Sequence, residues 1–337
     1  MISIEARKQK WIDFYDLTSP VNRMISIFCL EGMPERPPVW WEKKQERIDW
    51  ALRRYERHII NSDLIGDDTV PFMAPATGTE IFAEAFGCKV HKPLDNNPFA
   101  LPLIETAQQL HTLKMPNLWD TPLVNLFDMA DAMRAAMGPD AMLSLPDMQS
   151  PMDVASLIWE KTGFYAAMYE EPEAVHHLSS MVKELQFAFF DEWFRRYGKS
   201  GLAHYPDYYL PCGITMSEDE IGCVSADMFV EFFAQELADF SERYGAIGIH
   251  CCADARHQWQ NLKNIPGLIL LNLFQPQDVI QESLDFFGDT VAQCPGPPEL
   301  DGEKLFAADP SYHIAKYTIV QTVEEGRRLV DSLSRWL

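Results

Sequence analysis

The residues best suited to chemistry lie in Ile249-His250-Cys251-Cys252-Ala253-Asp254. They follow Tyr244-Gly245-Ala246-Ile247-Gly248, an apolar run that reads as a buried strand. His250 and Cys252 are two positions apart, so on an extended chain they point to the same side. A neutral imidazole and a thiolate at one strand end make half of a tetrahedral zinc site. Cys251 faces the other way and is assigned to the core.

Carboxylates and aromatics supply the other candidates. Glu218, Asp219 and Glu220 form an acidic cluster. One of them, Glu218 in the first instance, is a candidate acid/base or a partner that orients His250. A solvated loop is the plainer reading of the same cluster. Trp40, Trp41, Phe72, Tyr208, Tyr209 and Trp259 are candidates to line a roomy pocket. Tyr208 and Tyr209 face opposite ways on a strand, so at most one of them looks inward.

These residues need a scaffold, and the composition bounds it. The chain has 337 residues, of which 47% are hydrophobic, enough for a sizeable core. A net charge of −22 argues against nucleic-acid binding, because phosphate would be repelled over most of the surface. The seven cysteines are odd in number and irregularly spaced, which reads as a reducing cytoplasm, not a disulfide framework. The opening Met1 to Lys8 carries no apolar signal core, and no run of about 18 apolar residues offers a membrane span. A cytoplasmic protein with no membrane segment is the expectation.

Apolar and amphipathic segments alternate along the chain. The strands expected are 38–41, 63–66, 141–146, 207–212, 246–251, 267–273, 290–294 and 304–308. The helices expected are 43–61, 172–197, 226–244, 276–287 and 322–337, after a helical opening that reaches about Arg36. Strands alternating with helices suggest parallel βα units, and eight of them suggest closure. The expected architecture is α/β: a single (β/α)8 barrel domain over 1–337, with an N-terminal helical extension over 1–36. In such barrels the active site sits at the C-terminal ends of the strands. His250, Cys252, Cys212 and Cys294 all fall at those ends in this layout.

The order of landmarks also resembles a known superfamily. Thr18-Ser19-Pro20-Val21-Asn22-Arg23 and Arg36-Pro37-Pro38-Val39-Trp40 are similar to the opening of the uroporphyrinogen decarboxylase superfamily. Glu84-Ala85-Phe86-Gly87-Cys88 resembles a segment of its methyltransferase branch. Pro151 to Leu157, and Ser217 through Phe229, resemble its middle. The resemblance spans nearly the whole chain and implies a (β/α)8 barrel. It includes the decarboxylase itself and zinc methyltransferases that move methyl groups between corrinoid proteins and thiols.

The branches part at two places. The decarboxylase follows its first strand with arginines that hold the substrate's carboxylates. Here that stretch is Trp41-Glu42-Lys43-Lys44-Gln45-Glu46-Arg47, where only Arg47 matches. Asp67 or Asp68 would stand for the decarboxylase's key aspartate. In the methyltransferases, zinc is held by a His-X-Cys pair and a later cysteine. His250 and Cys252 match the pair, no cysteine follows Cys294, and Cys294 or Asp309 would complete the set.

The resemblance therefore implies a zinc-dependent methyltransferase that moves a methyl group between a corrinoid protein partner and a thiol or methylated small molecule. The alternatives are tetrapyrrole decarboxylation and a non-catalytic barrel that binds a corrinoid or tetrapyrrole.

Overall fold

The computed structural model of the chain describes residues 2–94 and 96–337. At its centre is a six-stranded parallel sheet. In spatial order its strands are Arg23–Cys29, Ile314–Val320, Ala292–Gln293, Leu268–Leu273, Ile247–Cys251 and Ile214–Ser217. Single parallel bridges continue the wall: Gln149 with Ser217, Ser144 with Leu202, and Met73 with Leu143. Asp68 N–H then donates to Ile25 O at 2.9 Å, which returns the wall to its first strand. The result is a closed α/β barrel.

The helices that wrap it are built for one-sided burial. The 26-residue helix Pro172–Tyr197 opens on proline at its first position and ends before Gly198. It buries Val175, Leu178, Val182, Leu185, Phe189 and Trp193, three or four residues apart. Lys44–Ile65 ends at Gly66, whose φ of +81° is a left-handed cap that glycine adopts without strain. Helix Ile4–Tyr15 closes the N-terminal end of the barrel. Its Trp11 and Phe14 pack with Met24, Tyr208 and Leu270 in the interior cluster.

Several expected elements differ. Asp63 to Ile65 belong to a helix, since Lys44–Ile65 runs four residues past its expected end. Trp41–Lys43 is a 3-10 turn leading into that helix. Gly302–Phe306 is helical, with Asp301 capping it, so the last strand is Ile314–Val320 instead. The opening is helical only over Ile4–Tyr15, and Arg23–Cys29 is a buried strand. Tyr209–Leu210 pairs antiparallel with Gly201–Leu202, outside the main sheet. Cys212 precedes the strand Ile214–Ser217 and lies at the N-terminal end, away from His250.

Candidate active site

A cavity of about 420 Å³ opens at the C-terminal end of the barrel. The wall segments reach it at Phe72 to Thr77, Ser144 to Asp147, His204 to Asp207, Ser217, Asp219 and His250. A volume of this size suits a small molecule. It faces three carboxylates, Asp147, Asp207 and Asp219, and two guanidiniums, Arg36 and Arg54.

His250 ends up on the cavity because its strand alternates. Ile249 and Cys251 pack outward against the helices, and His250 points inward. Its Nε2 lies 2.9 Å from Cys252 Sγ. Its Nδ1 hydrogen-bonds Asn272 Oδ1, on the neighbouring strand. Asn272 Nδ2 in turn donates to the Cys294 carbonyl. The amide can donate only through nitrogen, so its oxygen faces His250 and Nδ1 must carry the proton. Nε2 therefore presents its lone pair to the sulfur. Burial lowers the imidazole pKa further than the Asn272 contact and the Asp219 charge raise it.

Asp219 positions the sulfur from behind. Its Oδ1 accepts the Cys252 backbone N–H at 2.5 Å. Its own N–H donates to Asp153 Oδ2 at 2.9 Å, and Glu220 N–H donates to Asp153 Oδ1 at 3.0 Å. Burial pushes the Cys252 thiol up to about 11, with the Asp219 and Asp153 charges adding to it. Near neutral pH the sulfur is therefore an S–H that donates to His250.

A second imidazole stands beside the first. His204 Nδ1 contacts Thr215 Oγ1 at 2.8 Å and Nε2 contacts Ser217 Oγ at 3.0 Å. Burial lowers its pKa to about 3, so it stays neutral and structural. The Tyr205 ring meets His250 edge-on at 5.0 Å. Burial pushes Asp147 and Asp207 each up to about 6.

Of the residues expected from sequence, the structure brings His250 and Cys252 together and separates the rest. Cys294 is 2% exposed and sits in the interior cluster with Tyr208, Ala315 and Tyr317; burial pushes its thiol up to about 12. Asp309 lies before the last strand, at the opposite end of the barrel, where it accepts from Ser311. The inward residues of that strand, Ala315 and Tyr317, offer no sulfur or carboxylate. Among the described residues no three His, Cys, Asp or Glu side chains gather as a metal site. His250 and Cys252 are donors of the kind zinc takes, and among the described residues no third donor joins them.

Asp67 and Asp68 lie at the N-terminal end of their wall segment. Asp67 Oδ2 accepts from Ile27 N at 2.7 Å. Asp68 accepts from Ile25 N at 3.0 Å and pairs with Lys10 at 2.7 Å. They fasten the first strand and do not face the cavity. Glu218 follows the right strand, but its carboxyl turns into the wall toward Asp153 and Ser150. Arg47 holds the cavity loop from outside, donating to Ala76 O at 2.5 Å and to Trp40 O at 3.3 Å. Trp40 stays outside the cavity with it. Tyr208 fills the barrel interior, where a Cβ at Gly248 would collide with its hydroxyl. Tyr205, three residues earlier, takes the pocket position assigned to Tyr208.

The family model for uroporphyrinogen decarboxylase (URO-D) matches residues 77–273, a span that holds His204, Asp219, His250, Cys252 and Asn272. Among curated protein sequences no match is found. Among solved structures, a methyltransferase from Methanosarcina mazei superposes with a TM-score of 0.68 over 99% of each chain, at 13% identity. Likeness at that identity concerns the fold.

Proposed function

The chain belongs to the uroporphyrinogen decarboxylase family, with its (β/α)8 barrel, and from that premise we propose that it transfers a methyl group to or from the sulfur of a small molecule held in the barrel mouth. One observation carries this reading: the S–H···N contact between Cys252 and the lone-pair nitrogen of His250. A nitrogen that accepts from one thiol is set to accept from another.

In the forward direction the Cys252 S–H turns away from His250 Nε2, and the substrate thiol takes its place and gives its proton to that nitrogen. The sulfur attacks the methyl carbon of a carrier, the new S–C bond forms, and the carrier keeps the electron pair of the bond that breaks. The proton then leaves His250 for solvent. Asn272 holds the ring in the accepting tautomer, and Asp219 holds the Cys252 backbone. The carrier assigned here is a corrinoid protein, as on the methyltransferase branch.

Tetrapyrrole decarboxylation fits the cavity less well. A polycarboxylate needs fixed cations in excess. Here three aspartates face two arginines, and the family-type aspartate candidates Asp67 and Asp68 are elsewhere.

The test is methyl transfer from methylcobalamin to 3-mercaptopropionate, followed by the visible spectrum of the corrinoid. Turnover is expected, and His250→Ala should lower it by roughly 100-fold or more, the usual scale of a lost proton acceptor. Release of carbon dioxide from uroporphyrinogen without methyl transfer would overturn the reading.

A further inference from the structure

We propose that the cavity binds a neutral molecule bearing hydroxyl groups, with one hydroxyl bridging Arg54 and Asp207 and a second bridging Arg36 and Asp147. This rests on the reading of the cavity as the substrate site and names the class of small molecule that carries the sulfur: a hydroxylated thiol or thioether. It is independent of whether methyl transfer is the reaction.

The first pair is held open. Arg54 comes from the helix Lys44–Ile65 and is 7% exposed. Its guanidinium carbon lies 4.7 Å from the Phe28 ring centre and 4.6 Å from that of Phe72, and Nη1 donates to Phe72 O at 3.3 Å. Asp207 Oδ2 stands 3.9 Å from Nη2. That is too far for a direct hydrogen bond and near enough for one oxygen atom to reach both groups. The second pair is open as well. Arg36 and Asp147 line the cavity and feel each other's charge, yet among the described residues neither side chain has a hydrogen-bond or ion-pair partner. Only the Asp147 N–H is engaged, at 3.1 Å from Thr77 Oγ1. No nitrogen or carboxyl oxygen of these four side chains is among the described polar atoms sealed without a partner. Their free donors and acceptors therefore open on the cavity.

Charge then selects the ligand. Burial raises Asp147 and Asp207 to about 6 each, so near neutral pH both are mostly ionised acceptors beside an arginine. A ligand carboxylate would satisfy the arginine and be repelled by the aspartate next to it. An ammonium group would do the reverse. A hydroxyl is donor and acceptor at one atom. It accepts from the guanidinium, donates to the carboxylate, and brings no charge into a site where burying one is costly. The third carboxylate, Asp219, is already occupied by the Cys252 N–H. Ser144 is 4% exposed, lines the same cavity, and has a hydroxyl with no partner among the described residues. It offers a further contact of the same kind. His250 lines the cavity too and is left for the sulfur.

The experiment is calorimetric titration of the full chain with thiols of one chain length: 1-thioglycerol, which carries a vicinal diol, 1-propanethiol, which carries no hydroxyl, and 3-mercaptopropionate, which carries a carboxylate. 1-Thioglycerol should bind about tenfold more tightly than either of the others, the scale of hydrogen bonds to charged groups. Asp207→Asn leaves Arg54 unbalanced, so it should weaken 1-thioglycerol several-fold and tighten 3-mercaptopropionate. Wild-type binding of 1-propanethiol or of the acid that equals or exceeds that of the diol, undetectable binding of 1-thioglycerol, or a diol-to-acid ratio unchanged in Asp207→Asn would each overturn the proposal. If Asp207→Asn does not fold, Asp147→Asn decides by the same ratio at the second pair. Failure of methyl transfer would leave the binding order intact. Methyl transfer without that order would leave the reaction standing and remove this proposal.

Discussion

Asn272 reaches across from the strand next to that of His250, accepts from the imidazole Nδ1, and is itself held by the Cys294 carbonyl. One amide therefore decides which nitrogen of His250 is free. Asn272→Leu should lower turnover about 10- to 100-fold, the usual effect of losing an orienting partner, with little change in substrate affinity. Asn272→Asp should act in the opposite electrostatic sense and raise the imidazole pKa, since a carboxylate favours the imidazolium. A proton NMR titration of the ring would check this. Identical titration of the wild type and Asn272→Asp would remove Asn272 from this role.

The two cysteines singled out by sequence should behave differently. Cys294 is enclosed in the barrel interior, so Cys294→Ala should cost about 1–2 kcal/mol of stability through a small void, with activity per folded molecule retained. Cys252→Ala removes the sulfur on His250 and should impair turnover. With two donors in place, zinc retained after dialysis against a weak chelator should fall well below one equivalent per chain. A full equivalent that survives Cys252→Ala but not Cys294→Ala would mean that the ligands are grouped otherwise.

Much of this fold is written in periodicity. Pro172–Tyr197 begins at a proline and ends before a glycine, and the apolar run around Ile247–Cys251 has a single plausible reading. The errors have local causes. Trp40, Trp41 and Leu64 are apolar enough to suggest strands, but Leu64 falls on the exposed side of a long helix. Arg23–Cys29 was hidden by the charge at its start, since Arg23 is buried through carbonyl partners distant in sequence. His250 and Cys252 were legible because a strand residue and the first residue after the same strand need no tertiary information. Arg54, Asp147, Tyr205 and Asp207 were not, because they come from different segments. Asp147 carried one usable signal: it directly follows 141–146, an expected strand, at the end where barrels do their chemistry.

Asp153 is distant from the cavity in role but connected to it by hydrogen bonds. Its carboxylate accepts the backbone N–H groups of Asp219 and Glu220, and Asp219 accepts from Cys252. An asparagine there keeps one acceptor and turns an NH₂ toward the other N–H. Leaving a buried donor unmatched costs about 1–3 kcal/mol, so Asp153→Asn should lower the thermal midpoint. It should also change the rate at which iodoacetamide alkylates Cys252, because the backbone behind the sulfur loosens. Asp309→Asn, at the far end of the barrel, should change neither the alkylation rate nor turnover. An Asp153→Asn variant with wild-type alkylation and wild-type midpoint would break the proposed link.

The buried acids set an unusual pH dependence of stability. Burial raises Asp67, Asp153 and Glu236 to about 7 and Glu80 to about 8, and raises Glu218 as well. In the unfolded chain these groups titrate near 4. The folded state therefore binds more protons in between, and the stability they contribute is lost as pH rises through 7 to 8. The buried imidazoles His58, His204 and His250 have the opposite sign, since burial lowers each of them. Their contribution is present above about pH 6.5, the unfolded value, and is lost only as pH falls below it. Between pH 6.5 and 8 the carboxylates act alone among these groups, so the urea midpoint should fall across that window. Glu80 is 3% exposed with Oε2 unpartnered, and Glu80→Gln should flatten the upper part of the decline. Urea melts at pH 6.5, 7.2 and 8.0 test this directly. A midpoint that rises toward pH 8, or a Glu80→Gln curve parallel to wild type, would show that these carboxyls are ionised in the folded protein.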